Sequence, residues 1–240
     1  MLPFIGIVLV FAPQRSMFPS SLNTLKRSRV AVSEENRDLS IQGGSLRTWT
    51  FRSPVKCTQI VLSSDGRPYD ADIEVWQGPD NTPLKARVYG EDGRLRPFST
   101  VVDIPNDAST ITIRNIAQLE FPLIANVNVE NVDVPSAESI ETCMVIQGGA
   151  LRTYPFDAYV ESVQVLLRTE GRPLNARIEL LQGPCNNKQV IELYTENGGI
   201  RPFFCMLATP GPGNVVRIVN TAPMEFPMIA SVVPHTHVYN

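Results

Sequence analysis

Residues 65–81 read DGRPYDADIEVWQGPDN, and residues 170–186 read EGRPLNARIELLQGPCN. Each is a turn, a strand and a second turn in order. Gly66-Arg67-Pro68 and Gly171-Arg172-Pro173 combine a residue that admits positive φ with one that fixes φ, which is turn chemistry. Asp72-Ile73-Glu74-Val75-Trp76 and Arg177-Ile178-Glu179-Leu180-Leu181 then alternate polar and apolar side chains, the period-2 mark of a half-buried strand. Gln77-Gly78-Pro79 and Gln182-Gly183-Pro184 end both runs. Read once, such a stretch predicts a strand; read twice, it predicts a module.

The repeat extends outward on both sides. At a shift of 105 residues, 41–127 overlays 146–232 without a gap, and about two in five positions are identical, far above chance. IQGGSLRTWTF (41–51) returns as IQGGALRTYPF (146–156), LRPF (95–98) as IRPF (200–203), and IRNIAQLEFPLIANV (113–127) as IVNTAPMEFPMIASV (218–232). Equal loop lengths predict equal folds. Turn signals every 8–14 residues predict six to eight short strands per copy, on the order expected for sandwiches. No stretch has convincing helical periodicity with caps at both ends. The fold class expected is all-β: two tandem antiparallel β-sandwich or barrel-like domains, 34–129 and 141–232, with an acidic linker at 130–140 and a tail at 233–240 that has no counterpart. That tail (VVPHTHVYN from Val232) suits strand addition to a neighbour better than solvation.

Composition excludes several functions. The 240 residues carry 21 Lys+Arg and 24 Asp+Glu, a formal charge of -3, which argues against a nucleic-acid partner because no basic excess exists to displace counterions. No apolar run is long enough for a transmembrane helix. The apolar run at 2–10 followed by the basic, serine-containing, acid-free stretch to residue 33 reads as a signal and organelle-targeting presequence. Its junction Val10-Phe11-Ala12-Pro13 resembles the signal/transit boundary of diatoms and related algae with secondary plastids.

Chemistry is sparse. The only histidines are His235 and His237, with no third ligand near, so no metal site is expected. Cys57, Cys143, Cys185 and Cys205 align with Ser162, Asp38, Asp80 and Thr100, so no thiol recurs and idle free thiols are expected. Nucleotide-cradling glycine motifs are absent. Glu74 and Glu120, with mates Glu179 and Glu225, could form a carboxylate pair for glycoside hydrolysis, but strand-face Glu on the solvent side is the commoner arrangement. No catalytic residue and no cofactor is expected. Charges kept in both copies stand out instead: Arg67 with Arg172, Arg96 with Arg201, and Glu120 with Glu225. They suggest Arg–Glu contacts within a copy or across an interface. With His235, His237 and Tyr239 of the tail they form the set of candidate interface residues. Trp49 and Trp76, replaced by Tyr154 and Leu181, leave open a carbohydrate-binding module that stacks sugars on aromatic faces; a peripheral subunit of a photosynthetic complex is a further alternative.

The blocks IQGG-LRT, GRP, QGP, RPF and EFP, each written twice behind Phe-Ala-Pro, resemble the pyrenoid shell proteins of diatoms and related algae. The resemblance covers 41–232. It implies a chloroplast protein without enzymatic activity at the periphery of the pyrenoid, in the stroma. Its partners would be copies of itself, assembled into a sheet that encases the Rubisco matrix and supports CO2 concentration and carbon fixation. It also implies two like domains related by a pseudo-two-fold.

Overall fold

Alternation dictates the elements. In the chain, a computed structural model that describes residues 29–30, 37–51, 55–104 and 109–237, the period-2 stretches are strands whose buried and half-buried positions alternate. Thus Tyr69–Gln77 and Cys57–Ser63 bury every second residue. The first strand is β1 (Arg29–Val30). The first copy then contributes β2 (Leu39–Ile41), β3 (Leu46–Thr50), β4 (Cys57–Ser63), β5 (Tyr69–Gln77), β6 (Asn81–Gly90), β7 (Phe98–Asp103), β8 (Ser109–Asn115) and β9 (Leu123–Asn128). After helix α1 (Ala137–Glu141), the second copy contributes β10 (Met144–Ile146), β11 (Leu151–Pro155), β12 (Val160–Arg168), β13 (Leu174–Gln182), β14 (Asn187–Thr195), β15 (Phe203–Ala208), β16 (Asn214–Asn220) and β17 (Met228–His237). The bounds of β5, β7 and β8 fall on those of β13, β15 and β16 at the shift of 105 residues.

The strands form two sheets, and each sheet runs through both copies. The nine-stranded sheet has the order β1-β3-β8-β5-β6-β14-β13-β16-β11; the eight-stranded sheet has the order β10-β17-β12-β15-β7-β4-β9-β2. All neighbours are antiparallel except β1 on β3. The copies therefore meet along two ladders, β6 with β14 and β7 with β15. In the first ladder Arg87 faces Glu192, and in the second Thr100 faces Cys205. Each of these residues lies opposite its own counterpart in the repeat. The bonds flanking the first ladder are counterparts too: Glu91 N–H donates to Lys188 O at 2.9 Å, and Glu196 N–H to Pro83 O at 2.8 Å.

One apolar core fills the space between the sheets and passes from copy to copy. Ile60, Ile73, Phe98 and Ile113 belong to the same buried cluster as Val165, Ile178, Phe203 and Ile218. Burial of these side chains is the main stabilising term of such a layered fold.

The linker and the tail are both packed against the sheets. The linker places Asp133 on Gln59 at 2.5 Å, and the side-chain Oε1 of Gln164 accepts from Ser136 N–H at 3.0 Å. Ser136 caps α1 by accepting from Ser139 N–H at 3.2 Å, as a serine N-cap does. Five residues are too few to show helical periodicity in sequence. The tail also stays at home: 233–237 continues β17 and pairs with β12, where register shifts between Val160 and Val163 accommodate Pro234. The expectation that the tail reaches into a neighbour is corrected to this extent. The presequence expected at 1–33 lies outside the described residues apart from Arg29–Val30.

Candidate functional site

The loops at one end of each copy form a tightly keyed face. In the first copy these are 42–45, 64–68, 91–97 and 116–122. Asn115, fully buried at the end of β8, donates its amide to Ile41 O at 2.9 Å and to Phe121 O at 2.8 Å, and its Oδ1 accepts from Ala117 N–H at 3.0 Å. Asn220 repeats this set with Ile146 O at 3.0 Å, Phe226 O at 2.9 Å and Ala222 N–H at 3.0 Å. Gly43 lies so close to the 116–122 loop that a Cβ there would sit 2.0 Å from Gln118 O; at Gly148 it would sit 1.8 Å from Pro223 O. The first glycine of each twice-written Gly-Gly is thus required by close backbone approach, and the second, Gly44 or Gly149, by a positive φ of 74° or 76°.

Arg67 and Arg172 lock the loops together. The Arg67 guanidinium lies 5.7 Å from the centroid of the Phe121 ring, and that of Arg172 5.5 Å from Phe226. These are cation–π distances. Their carbonyls accept from Gly93 N–H at 3.3 Å and Gly198 N–H at 2.9 Å, and from the hydroxyls of Ser64 and Thr169. Two arginines expected to meet carboxylates therefore meet aromatic rings one residue beyond those carboxylates. Glu120 and Glu225 are exposed on the same loops, and neither forms an ion pair with another described residue.

Arg96 and Arg201 are placed differently. Each is only 5% exposed, so neither guanidinium is open to a neighbouring chain. Arg96 Nη2 donates to Gln182 Oε1 of the other copy at 2.9 Å, which makes Arg96 a contact between the copies of one chain. Burial pulls the pKa of both groups down, opposed for Arg96 by Glu91 and Asp92 and for Arg201 by Glu196 and Asp103. Burial also pushes the Asp103 carboxyl up, with Arg201 opposing.

Of the tail candidates, His235 is exposed and its Nδ1 lies 3.0 Å from the Gln164 amide. His237 ends β17, opposite Val160. Tyr239 lies outside the described residues. Among the described residues no three His, Cys, Asp or Glu side chains are grouped to hold a metal ion.

The carboxylates weighed for hydrolysis are dispersed. Glu74 sits on the outer face of the nine-stranded sheet near Lys85, at 4.0 Å, while Glu120 is on the loop face. Glu179 is 6% exposed, against the expectation of a solvent-facing strand glutamate, and is held by Arg177 at 2.7 Å and Arg217 at 3.0 Å. That outer face is laced with ion pairs, Arg87–Asp70 and Arg177–Glu192 both at 2.9 Å among them. Trp49, proposed as a sugar platform, is 3% exposed in the core and offers no ring face to a ligand. Trp76 is half-buried, its indole N–H on Glu74 at 3.1 Å.

One feature escaped the sequence reading. Large apolar residues are exposed at equivalent positions of both loop faces: Leu95 at 56% with Ile200 at 54%, and Leu119 at 72% with Met224 at 78%. The signal is in the sequence, since each loop position stays apolar in both copies.

With the geometry in hand, comparison with known proteins is informative. The profile of one family, described as diatom pyrenoid shell protein, matches residues 33–234. No curated protein matches. Among solved structures, the PBSX exported protein XepA aligns over 82% of this chain and 84% of its own, at 10% identity and a TM-score of 0.25.

Proposed function

The chain belongs to the diatom pyrenoid shell protein family, and on that premise we propose that it is a non-enzymatic building block of a protein sheet that encases the Rubisco-containing pyrenoid. The observation that carries this reading is the family match across 33–234, which spans both copies of the repeat. On this reading the protein works at the pyrenoid periphery in the chloroplast stroma. Copies of itself are its partners, and the enclosed Rubisco matrix is what the sheet retains to support CO2 concentration.

The physics of the chain suits that role. We take the repeats 34–129 and 141–232, joined by 130–140, as two like units related by a pseudo-two-fold axis perpendicular to the sheets. Ladders in which Arg87 faces Glu192 and Thr100 faces Cys205 support this. Such a body offers each surface twice, and contacts between unlike copies of a surface need not close into a ring. The test is imaging of the purified chain by electron microscopy across micromolar concentrations. Sheets or tubes are expected; a chain that remains monomeric in light scattering at every concentration and salt overturns the reading.

A further inference from the structure

We propose that the two loop faces are the head and tail of one lattice contact: the face of the first copy, carrying Leu95 and Leu119, docks on the face of the second copy, carrying Ile200 and Met224, in a neighbouring chain. The proposal rests on the shell reading and deepens it by naming the surface.

The placement follows from the β6–β14 ladder. Gly90, where the 91–97 loop begins, lies beside Gln189; Thr195, where the equivalent loop begins, lies beside Leu84. The two loop faces are therefore at opposite ends of the strands. A chain with like faces pointing in opposite directions joins its neighbours in a row.

The chemistry fits a second copy as occupant. Single exposed apolar residues are ordinary on a protein surface, but here the same two positions are apolar and more than half exposed in both copies. The tips are also held rigid by the Asn115 and Asn220 bonds and the Arg67 and Arg172 stacks, so little ordering is needed on docking. Charge selects unlike pairing. The second face sets Arg172 alone against exposed Glu170, Glu196 and Glu225. The first face keeps exposed Asp65, Glu91 and Glu120 at the equivalent positions, with half-buried Asp92 where the second has Asn197. But it adds an exposed cation, Arg94, where the second has Gly199, and its Glu91 is neutralised by Lys188 at 2.6 Å, so it is the less negative of the two. Face two against face two brings carboxylates together; face one against face two sets Arg94 before them. Complementarity of this kind discriminates among pairings.

The test uses full-length chains carrying Leu119→Glu or Met224→Glu, both at exposed positions. Each variant keeps one working face. Tagged L119E is expected to retain untagged M224E at least tenfold more than untagged L119E, and neither variant alone forms the sheets of the wild type. Leu119→Met, which imports the residue of the second copy, keeps assembly. Wild-type sheets together with equal retention of both untagged chains overturn this inference and leave the shell reading intact. A wild type that forms no assembly overturns the shell reading and this inference with it.

Discussion

The loop faces of the two copies are near duplicates, whereas the seam between the copies is not. On the loop faces, Asn115 and Asn220 make the same bonds, and Gly43 and Gly148 the same close approach. At the seam, Tyr69 is buried with its hydroxyl bonded to Gln189 at 2.8 Å, and Gly90 leaves room for its ring. The counterparts of Tyr69 and Gly90 are Leu174 and Thr195. Arg96 Nη2 reaches Gln182 Oε1 across the seam, and the Gln182 amide nitrogen donates to Pro210 O and Pro212 O, whereas the amide nitrogen of Gln77, the counterpart of Gln182, has no partner; the Nε atoms of Arg96 and Arg201 are alike unpartnered. A loop face is built within one copy, so duplication gives both the same environment. A seam residue off the ladder centre faces a residue of the other copy that is not its own counterpart, so its environment differs between the copies.

The largest effect that could break this comparison is at the shared glycines. Gly148→Ala and Gly43→Ala each drive a Cβ into a backbone carbonyl and are expected to cost about 3 kcal/mol or more, read from urea unfolding midpoints. A cost under 1 kcal/mol at either would mean that the loop can retreat. Next come Asn115→Ala and Asn220→Ala. Each strands two carbonyls and one N–H in a buried place, for a loss of about 3 kcal/mol, alike in both copies; unlike losses would show that the two faces are not energetically equivalent.

The seam is sharpened by a double-mutant cycle. Gly90→Thr alone is expected to destabilise by about 2 kcal/mol through collision with the Tyr69 ring. Together with Tyr69→Leu, which rebuilds the pair found in the second copy, the costs are less than additive by more than about 1 kcal/mol. Additivity would remove the coupling. Arg67→Ala and Arg172→Ala are smaller, about 0.5–1 kcal/mol each for an exposed cation–π contact.

Smallest is a pH effect at the seam. Burial raises the Asp103 pKa in the folded chain, so the fold binds a proton more tightly there than the unfolded chain does. Its contribution is fully present below the unfolded value of about 4 and is lost as pH rises through the folded pKa. Asp103→Asn is therefore expected to raise the melting temperature at pH 7 relative to wild type and to bring no gain at acidic pH.

Much of this architecture was legible in the sequence. The period-2 runs 72–76 and 177–181 lie inside β5 and β13, which extend three residues further at the start and one at the end, and the ungapped repeat returns equal bounds in β5, β7 and β8. Continuity of the sheets was not legible. Lys85, Arg87 and Tyr89 alternate outward in β6 whether it is an edge strand or pairs with β14, so local pattern is blind to the partner. The burial of Arg96 is not legible, because nothing near Arg-Pro-Phe signals that Gln182 of the other copy closes over it. The tail's pairing was hidden by Pro234, which argues against a paired strand unless the ladder is irregular beside it; the register skips His235 of β17 next to the proline and Glu161 of β12, the latter more than seventy residues away in sequence. The loop faces were half legible: Gly-Gly and the duplicated arginines marked them, while the ring beneath each arginine was hidden by the neighbouring glutamate.

The ladders that join the copies have a mechanical consequence. A chain pulled across its strands parts where the least backbone bonding crosses the line of pull. In the nine-stranded sheet that line is crossed by the pairing of 84–90, but in the other sheet only by that of 98–101. Overstretching would first unzip β7 from β15, a tear starting in the layer with the shorter stitch, while the longer stitch still holds the chain in one piece.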